Sequence, residues 1–188
     1  MTIQLQFSII FVMVEGNYPY ISGKCGIPLE NIGVPFRGNI CGGSGRRIFC
    51  SIDSDNIVIL DATEQKFRLS ASVNTESVTV AVRSRDWKNG ERHPDLFGKK
   101  FVAWALRYFE SQGHFIGKFK SEWFQGDDIY SNINYVSYRE GIESGLDPIQ
   151  AAKNTWTGKT VVELGFTEVA DLREYSGGRV TLNFQRPS

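Results

Sequence analysis

Thiols and imidazoles are scarce in this chain. Its 188 residues include three cysteines and two histidines. Cys25, Cys41 and Cys50 form no Cys-x-x-Cys pair, and their odd number and wide gaps make a poor framework for disulfides or zinc. Free thiols behaving as small buried hydrophobes are the expectation. Neither sign of charge is in excess: 21 Lys and Arg balance 21 Asp and Glu. No global field therefore draws the protein to nucleic acid or to an anionic membrane. No apolar stretch approaches the roughly 20 residues of a membrane-spanning helix. The apolar run at the N-terminus meets its first basic residue only at Lys24 and has no small-residue cleavage pattern, so it does not read as a secretory signal. A soluble, cytoplasmic protein is expected. The apolar share of 41% and charged share of 22% argue against disorder, a coiled coil or a disulfide scaffold. The length suits one domain, 1–188.

Hydrophobic periodicity divides that domain into a β-rich part (1–85), a helical part (93–165) and a hairpin (166–185). Residues 2–14 alternate, with Ile3, Leu5, Phe7, Ile9, Phe11 and Met13 on one face, as a half-buried strand does. Residues 16–45 hold eight glycines and three prolines and read as a long irregular connection with room for one short strand. Arg47–Ile52, Ile57–Asp61, Lys66–Ser72 and Ser77–Ser84 are separated by turn-forming clusters, the pattern of consecutive hairpins. The period then changes. Leu96, Phe97, Phe101, Trp104, Ala105, Tyr108 and Phe109 follow helical spacing over 94–112, with Pro94 as first helical residue and Gly113 as stop. A second helix is predicted over 127–144. A third, over 147–164, starts at Asp147-Pro148-Ile149-Gln150 with a capping Asp and a Pro at the first position. Val180, Leu182 and Phe184 alternate in a final strand after Ser176-Gly177-Gly178. The fold class is α+β: a mostly antiparallel sheet, an N-terminal strand plus a meander, packed by about three helices, with a C-terminal β-hairpin.

Chemistry-bearing residues are thinly spread. His93 and His114 bracket one predicted helix, and 21 residues at 1.5 Å rise hold them about 30 Å apart. They do not serve one acid–base site. The segment Arg83-Ser-Arg-Asp-Trp-Lys-Asn-Gly-Glu-Arg-His93 opens a stretch, residues 83–100, with six Lys or Arg against three Asp or Glu. Arg83, Arg85, Trp87 and Arg92 are the groups there that would grip phosphate and stack a base. Gly38–Arg47 is glycine-rich beside two arginines and could form an anion nest. It fits neither a P-loop nor a dinucleotide fingerprint, because a strand follows it. Residues 118–147 have the opposite sign, six acidic against three basic. There Trp123 and Tyr130 are candidate anchors for a protein partner, and Glu122 with Asp127 or Asp128 is a possible carboxylate pair. Thr155-Trp156-Thr157-Gly158 sits inside the third predicted helix, where Thr and Gly are disfavoured. Gly158 is expected to allow a close crossing, with Trp156 as a core anchor.

From Gly117 to Phe166 the chain also carries Gly117 ahead of Trp123, an Asp-rich helix start, Gly145, Ala151-Ala152, Thr155-Trp156-Thr157-Gly158-Lys159 and Leu164-Gly165-Phe166. This run of about 50 residues is similar to C-terminal modules of large bacterial polymorphic-toxin and surface-repeat proteins. The resemblance implies a bacterial or phage-related origin and carries over no catalytic residue. The function expected from the whole sequence is a macromolecular interaction module, of accessory or immunity type, without cofactor or metal. Its partner would be another protein, or nucleic acid through residues 83–93. The alternative is a small effector enzyme, such as a nuclease using His93 with Arg85, Arg92 and a carboxylate, Asp86 or Glu91. A third reading is a β-rich ligand-binding domain closed by the 16–45 segment.

Overall fold

A computed structural model describes residues 36–86, 89–126 and 129–187. The predicted strand over 2–14 and most of the 16–45 segment lie outside them. Eight strands form one sheet: β1 (Phe36–Cys41), β2 (Arg47–Ile52), β3 (Asn56–Asp61), β4 (Arg68–Asn74), β5 (Ser77–Arg83), β6 (Lys118–Phe124), β7 (Glu168–Tyr175) and β8 (Arg179–Gln185). Their spatial order is β1-β2-β3-β4-β5-β6-β8-β7. All neighbours are antiparallel except β5 and β6, which pair in parallel over Ser77–Lys118, Val78–Phe119 and Thr79–Lys120. Parallel pairing requires a crossover, and α1 (Gly98–Ser111) supplies it. The class is the α+β read from the sequence, and the C-terminal hairpin joins the main sheet through β8 on β6.

The helices cover one side of the sheet. Strict alternation in β2–β4 sends Ile48, Cys50, Ile52, Ile57, Ile59, Leu69, Ala71 and Val73 to that side, where all are buried. Phe101, Val102, Ala105, Leu106 and Phe109 of α1 close over them as part of one core. The remaining helices, α2 (Ile129–Glu143), α3 (Pro148–Asn154) and α4 (Trp156–Val162), cover the β6–β8 half, with Tyr138 packed on Trp123. No helix among the described residues is long and apolar enough to cross a membrane. At the β7 edge a bulge between Ala170 and Arg173 puts Asp171 at φ 54°.

Two helix boundaries differ from expectation. α1 starts at Gly98 and not at Pro94, because side-chain bonds of His93 and Asp95 hold residues 93–95 in a separate turn and Phe97 is extended. The third predicted helix is two helices meeting at Thr155. The Thr155 hydroxyl donates to the Ala152 carbonyl at 2.8 Å, ending α3, and accepts from the Gly158 amide at 2.9 Å, starting α4. One side chain thus caps two helix ends. Gly158 serves the resulting corner, for a Cβ there would lie 2.7 Å from Lys153 Cα and overlap the Ala152 carbonyl. Trp156 is not a core anchor. It is 39% exposed, with its ring edge laid against Gly98. Gly113, Gly145 and Gly165, at φ near 90°, end helical segments as their positions in sequence suggested.

The atoms crowding Gly158 are backbone, so they cannot step aside as a flexible side chain would. Gly158→Ala is expected to destabilise the protein by about 1–3 kcal/mol, read as a lower urea midpoint with an unchanged m-value.

Candidate functional site

The polar groups of the 83–93 segment and of the Gly38–Arg47 turn gather at one end of the sheet, where β2 begins, β3 and β5 end and β4 begins. Two arrangements meet there, one on each side of the sheet.

On the helix side lies a buried network. His93 is 2% exposed and Asp61 fully buried. The Asp95 amide donates to His93 Nδ1 at 3.1 Å, which leaves the proton on Nε2, and Nε2 donates to Asp61 Oδ2 at 2.9 Å. Asp61 Oδ1 accepts from the amides of Thr63 and Glu64, each at 2.7 Å, and Arg46 reaches Oδ2 at 3.2 Å. Burial alone would raise the Asp61 carboxyl, but the Glu64 amide, His93, the Thr63 amide and Arg46 outweigh it and hold it well below the usual carboxylate range. Arg46 also pairs with Glu64 at 2.9 Å, and Lys66 bridges Glu64 and the buried Asp86. The glycine-rich turn that resembled an anion nest does hold an anion, and that anion is the protein's own Asp95. The Ser44 amide donates to Asp95 Oδ1 at 3.0 Å, and the Ser44 hydroxyl bonds Oδ2. A Cβ on Gly42 would lie 2.7 Å from Asp95 Cγ, so only glycine admits the carboxylate this closely.

These contacts decide what several candidates can do. His93 has no free ring nitrogen and little exposure, so it offers no base to a substrate. Asp86 points to the helix side with Lys66, away from Arg85 and Arg92. His114 sits at the far end of β3, bonded to the Ser54 carbonyl at 3.0 Å and near Asp55 at 3.1 Å, so the two imidazoles do not converge. The Cys50 thiol is pushed up to about 12 by burial, which removes it as a nucleophile. Trp123 is 3% exposed beneath Tyr138 and is therefore core, not an exposed anchor. Glu122 pairs with Arg179. Trp87, Asp127, Asp128 and the Tyr130 side chain lie outside what is described. Among the described residues, no three His, Cys, Asp or Glu side chains gather as a metal site would require.

Among the described residues, no helix covers the other side of the sheet. Alternation sends Arg37, Arg47, Arg68 and Arg83 there from β1, β2, β4 and β5, all exposed. Beyond β5 the chain turns back on itself: the Asp86 amide donates to the Glu91 carbonyl at 2.8 Å and the His93 amide to the Ser84 carbonyl at 2.9 Å. This places Arg85 directly opposite Arg92, on the same open face as Arg83. Arg68 and Arg83 are likewise directly opposite. None of these six arginines has an ion-pair partner among the described residues. No open-face position of β1–β5 holds Asp or Glu, and the floor between the arginines is Phe49, Val58 and Leu60, with Ser51 and Ser70. By contrast, a groove of about 440 Å³ on the β6–β8 half mixes Lys120 and Arg173 with Glu122 and Asp171.

The structure thus brings together Arg83, Arg85 and Arg92 as a group, joins to them Arg47, which the sequence placed beside the glycine-rich turn, and adds Arg37, Arg68 and Phe49, which the sequence reading passed over. Their signal was the period-two pattern of each strand, but only the register across strands joins them. Comparison with protein-family models, curated proteins and solved structures finds no match.

Because Asp61 ionises more readily folded than unfolded, its contribution is complete above its unfolded value of about 4 and is lost as pH falls below that. Asp61→Asn is expected to cost about 3 kcal/mol at pH 7 and to flatten the acid limb of the stability curve. Urea unfolding at pH 7 and pH 3 checks both. An equal loss at both pH values would show that the charge is not what matters.

Proposed function

We propose that this protein is an interaction module that docks a negatively charged macromolecule on the open face of β1–β5. The observation that carries this reading is the unneutralised arginine array. Like charges directly opposite on a sheet destabilise it. Arg68 faces Arg83 and Arg85 faces Arg92, and no open-face position of the described strands β1–β5 holds an acid to offset them. Seven nearby ionisable groups on the helix side, by contrast, are linked into the network around Asp61 and Asp95. A fold that satisfies its charges so fully on one side and leaves them bare on the other keeps the bare ones for a partner. The formal charge of zero conceals this, since the acids are spent elsewhere.

The same geometry argues for binding over catalysis at this end of the sheet. His93, the base a His-based nuclease would use, is bonded at both ring nitrogens, and Asp86 is paired with Lys66 on the side of the sheet away from Arg85 and Arg92. The likeness of residues 117–166 to modules of bacterial polymorphic-toxin proteins is in keeping with an accessory role beside a larger effector.

Heparin, a general polyanion, tests the docking face. The protein is expected to be retained on a heparin column at 50 mM salt and to elute well before 1 M, as surface electrostatics are screened. Arg83→Glu/Arg85→Glu should elute at markedly lower salt with thermal stability at or above the parent's, since each change replaces a like-charge cross-strand pair by an opposite-charge one, whereas Lys99→Glu, on the exposed side of α1, should elute like the parent. Flow-through of the parent protein at 50 mM salt would remove the reading.

A further inference from the structure

The occupant of this face can be named by its chemistry, an inference that rests on the docking reading above. We propose that the open face of β1–β5 binds single-stranded nucleic acid, its phosphates held by the arginines and a base stacked on Phe49.

Three features favour this ligand over other polyanions. First, the arginines are distributed and not focused. They run from Arg37 on β1 to Arg85 and Arg92 beyond β5, and four strand spacings of about 4.8 Å make a track roughly 19 Å wide. A single phosphate would need one convergent pocket, whereas a chain of phosphates needs a track. Second, the floor of the track is apolar. Phe49 lies opposite Leu60, which lies opposite Arg68, which lies opposite Arg83, so an aromatic ring and two guanidinium groups follow in one cross-strand row. Sheet-borne aromatics between basic groups hold unstacked bases by their π-faces and phosphates by their charge. Phe49 is half-buried, and its ring can stack only on a base splayed out of a strand, since paired bases in a duplex keep their faces stacked on one another. Third, these strands offer a peptide nothing to pair with. β2–β5 are interior strands with both edges hydrogen-bonded, while extended peptides are captured by adding to a sheet edge. Ser51, Ser70, Ser72 and Asn39 complete the described part of the face with neutral hydrogen-bonding groups.

The experiment is fluorescence anisotropy of the full chain with labelled dT20, U20, a 20-base-pair duplex and polyglutamate, from 50 to 200 mM salt. Both single strands are expected to bind, at least about tenfold more tightly than the duplex or polyglutamate, with affinity falling steeply as salt rises. Arg83→Glu/Arg85→Glu should lose at least about tenfold and shallow the salt slope by about two. Phe49→Ala should lose about tenfold with the salt slope unchanged, and Phe49→Tyr should restore binding, which separates stacking from a folding defect. Heparin retention without single-strand binding, preference for duplex or polyglutamate, or a Phe49→Ala protein that binds as well as the parent would each overturn this assignment while leaving the docking face in place. Failure on heparin as well would overturn both.

Discussion

A fully buried carboxylate, Asp61, organises this end of the molecule. A lone ion in that position would be prohibitive, since removing a charge from water costs several kcal/mol even after relaxation. The structure offsets the cost with two amide donors, an imidazole and a guanidinium converging on its two oxygens. Those four donors come from three separate stretches of chain: Arg46 from the β1–β2 turn, the two amides from the β3–β4 turn and His93 from the segment before α1. Satisfying one anion therefore ties the crossover helix to the meander. The second buried carboxylate, Asp95, repeats the device on the glycine-rich turn.

That requirement explains which polar residues are structural and which are free. Alternation in a strand assigns neighbours to opposite faces without regard to charge. In the segment from Arg83 to His93 it sends Asp86 and His93 inward to the network and Arg83, Arg85 and Arg92 outward. A segment that reads in sequence as one mixed, basic loop is divided in three dimensions between two sides of the sheet.

Much of the architecture was legible from local signals. The strands of the meander, the C-terminal hairpin and the glycine stops at 113, 145 and 165 follow from short-range periodicity and backbone preference, which act within a few residues. The start of α1 and the break at Thr155 were not legible, because each is set by a side chain that competes with the helix for backbone or loop partners. The Thr and Gly in Thr155-Trp156-Thr157-Gly158 did mark that stretch as one needing a reason. For the site, the basic segment 83–92 was visible, but its extension to Arg47 and Arg68 depends on strand register. The Asp61–His93 pairing spans 32 residues and leaves no periodic trace. The Gly38–Arg47 turn was recognisable as a cradle for an anion, though nothing local said that the anion would come from residue 95.

The bulge in β7 has a consequence for the molecule's behaviour in company. An unbroken outer strand is a template on which further chains can grow, and many β-proteins must blunt it. Here Asp171 in the left-handed region, with its carboxylate held by Asn183 at 2.8 Å, kinks that border and interrupts the regular spacing of its outward amides. That border is thereby a poorer template for pairing with another copy.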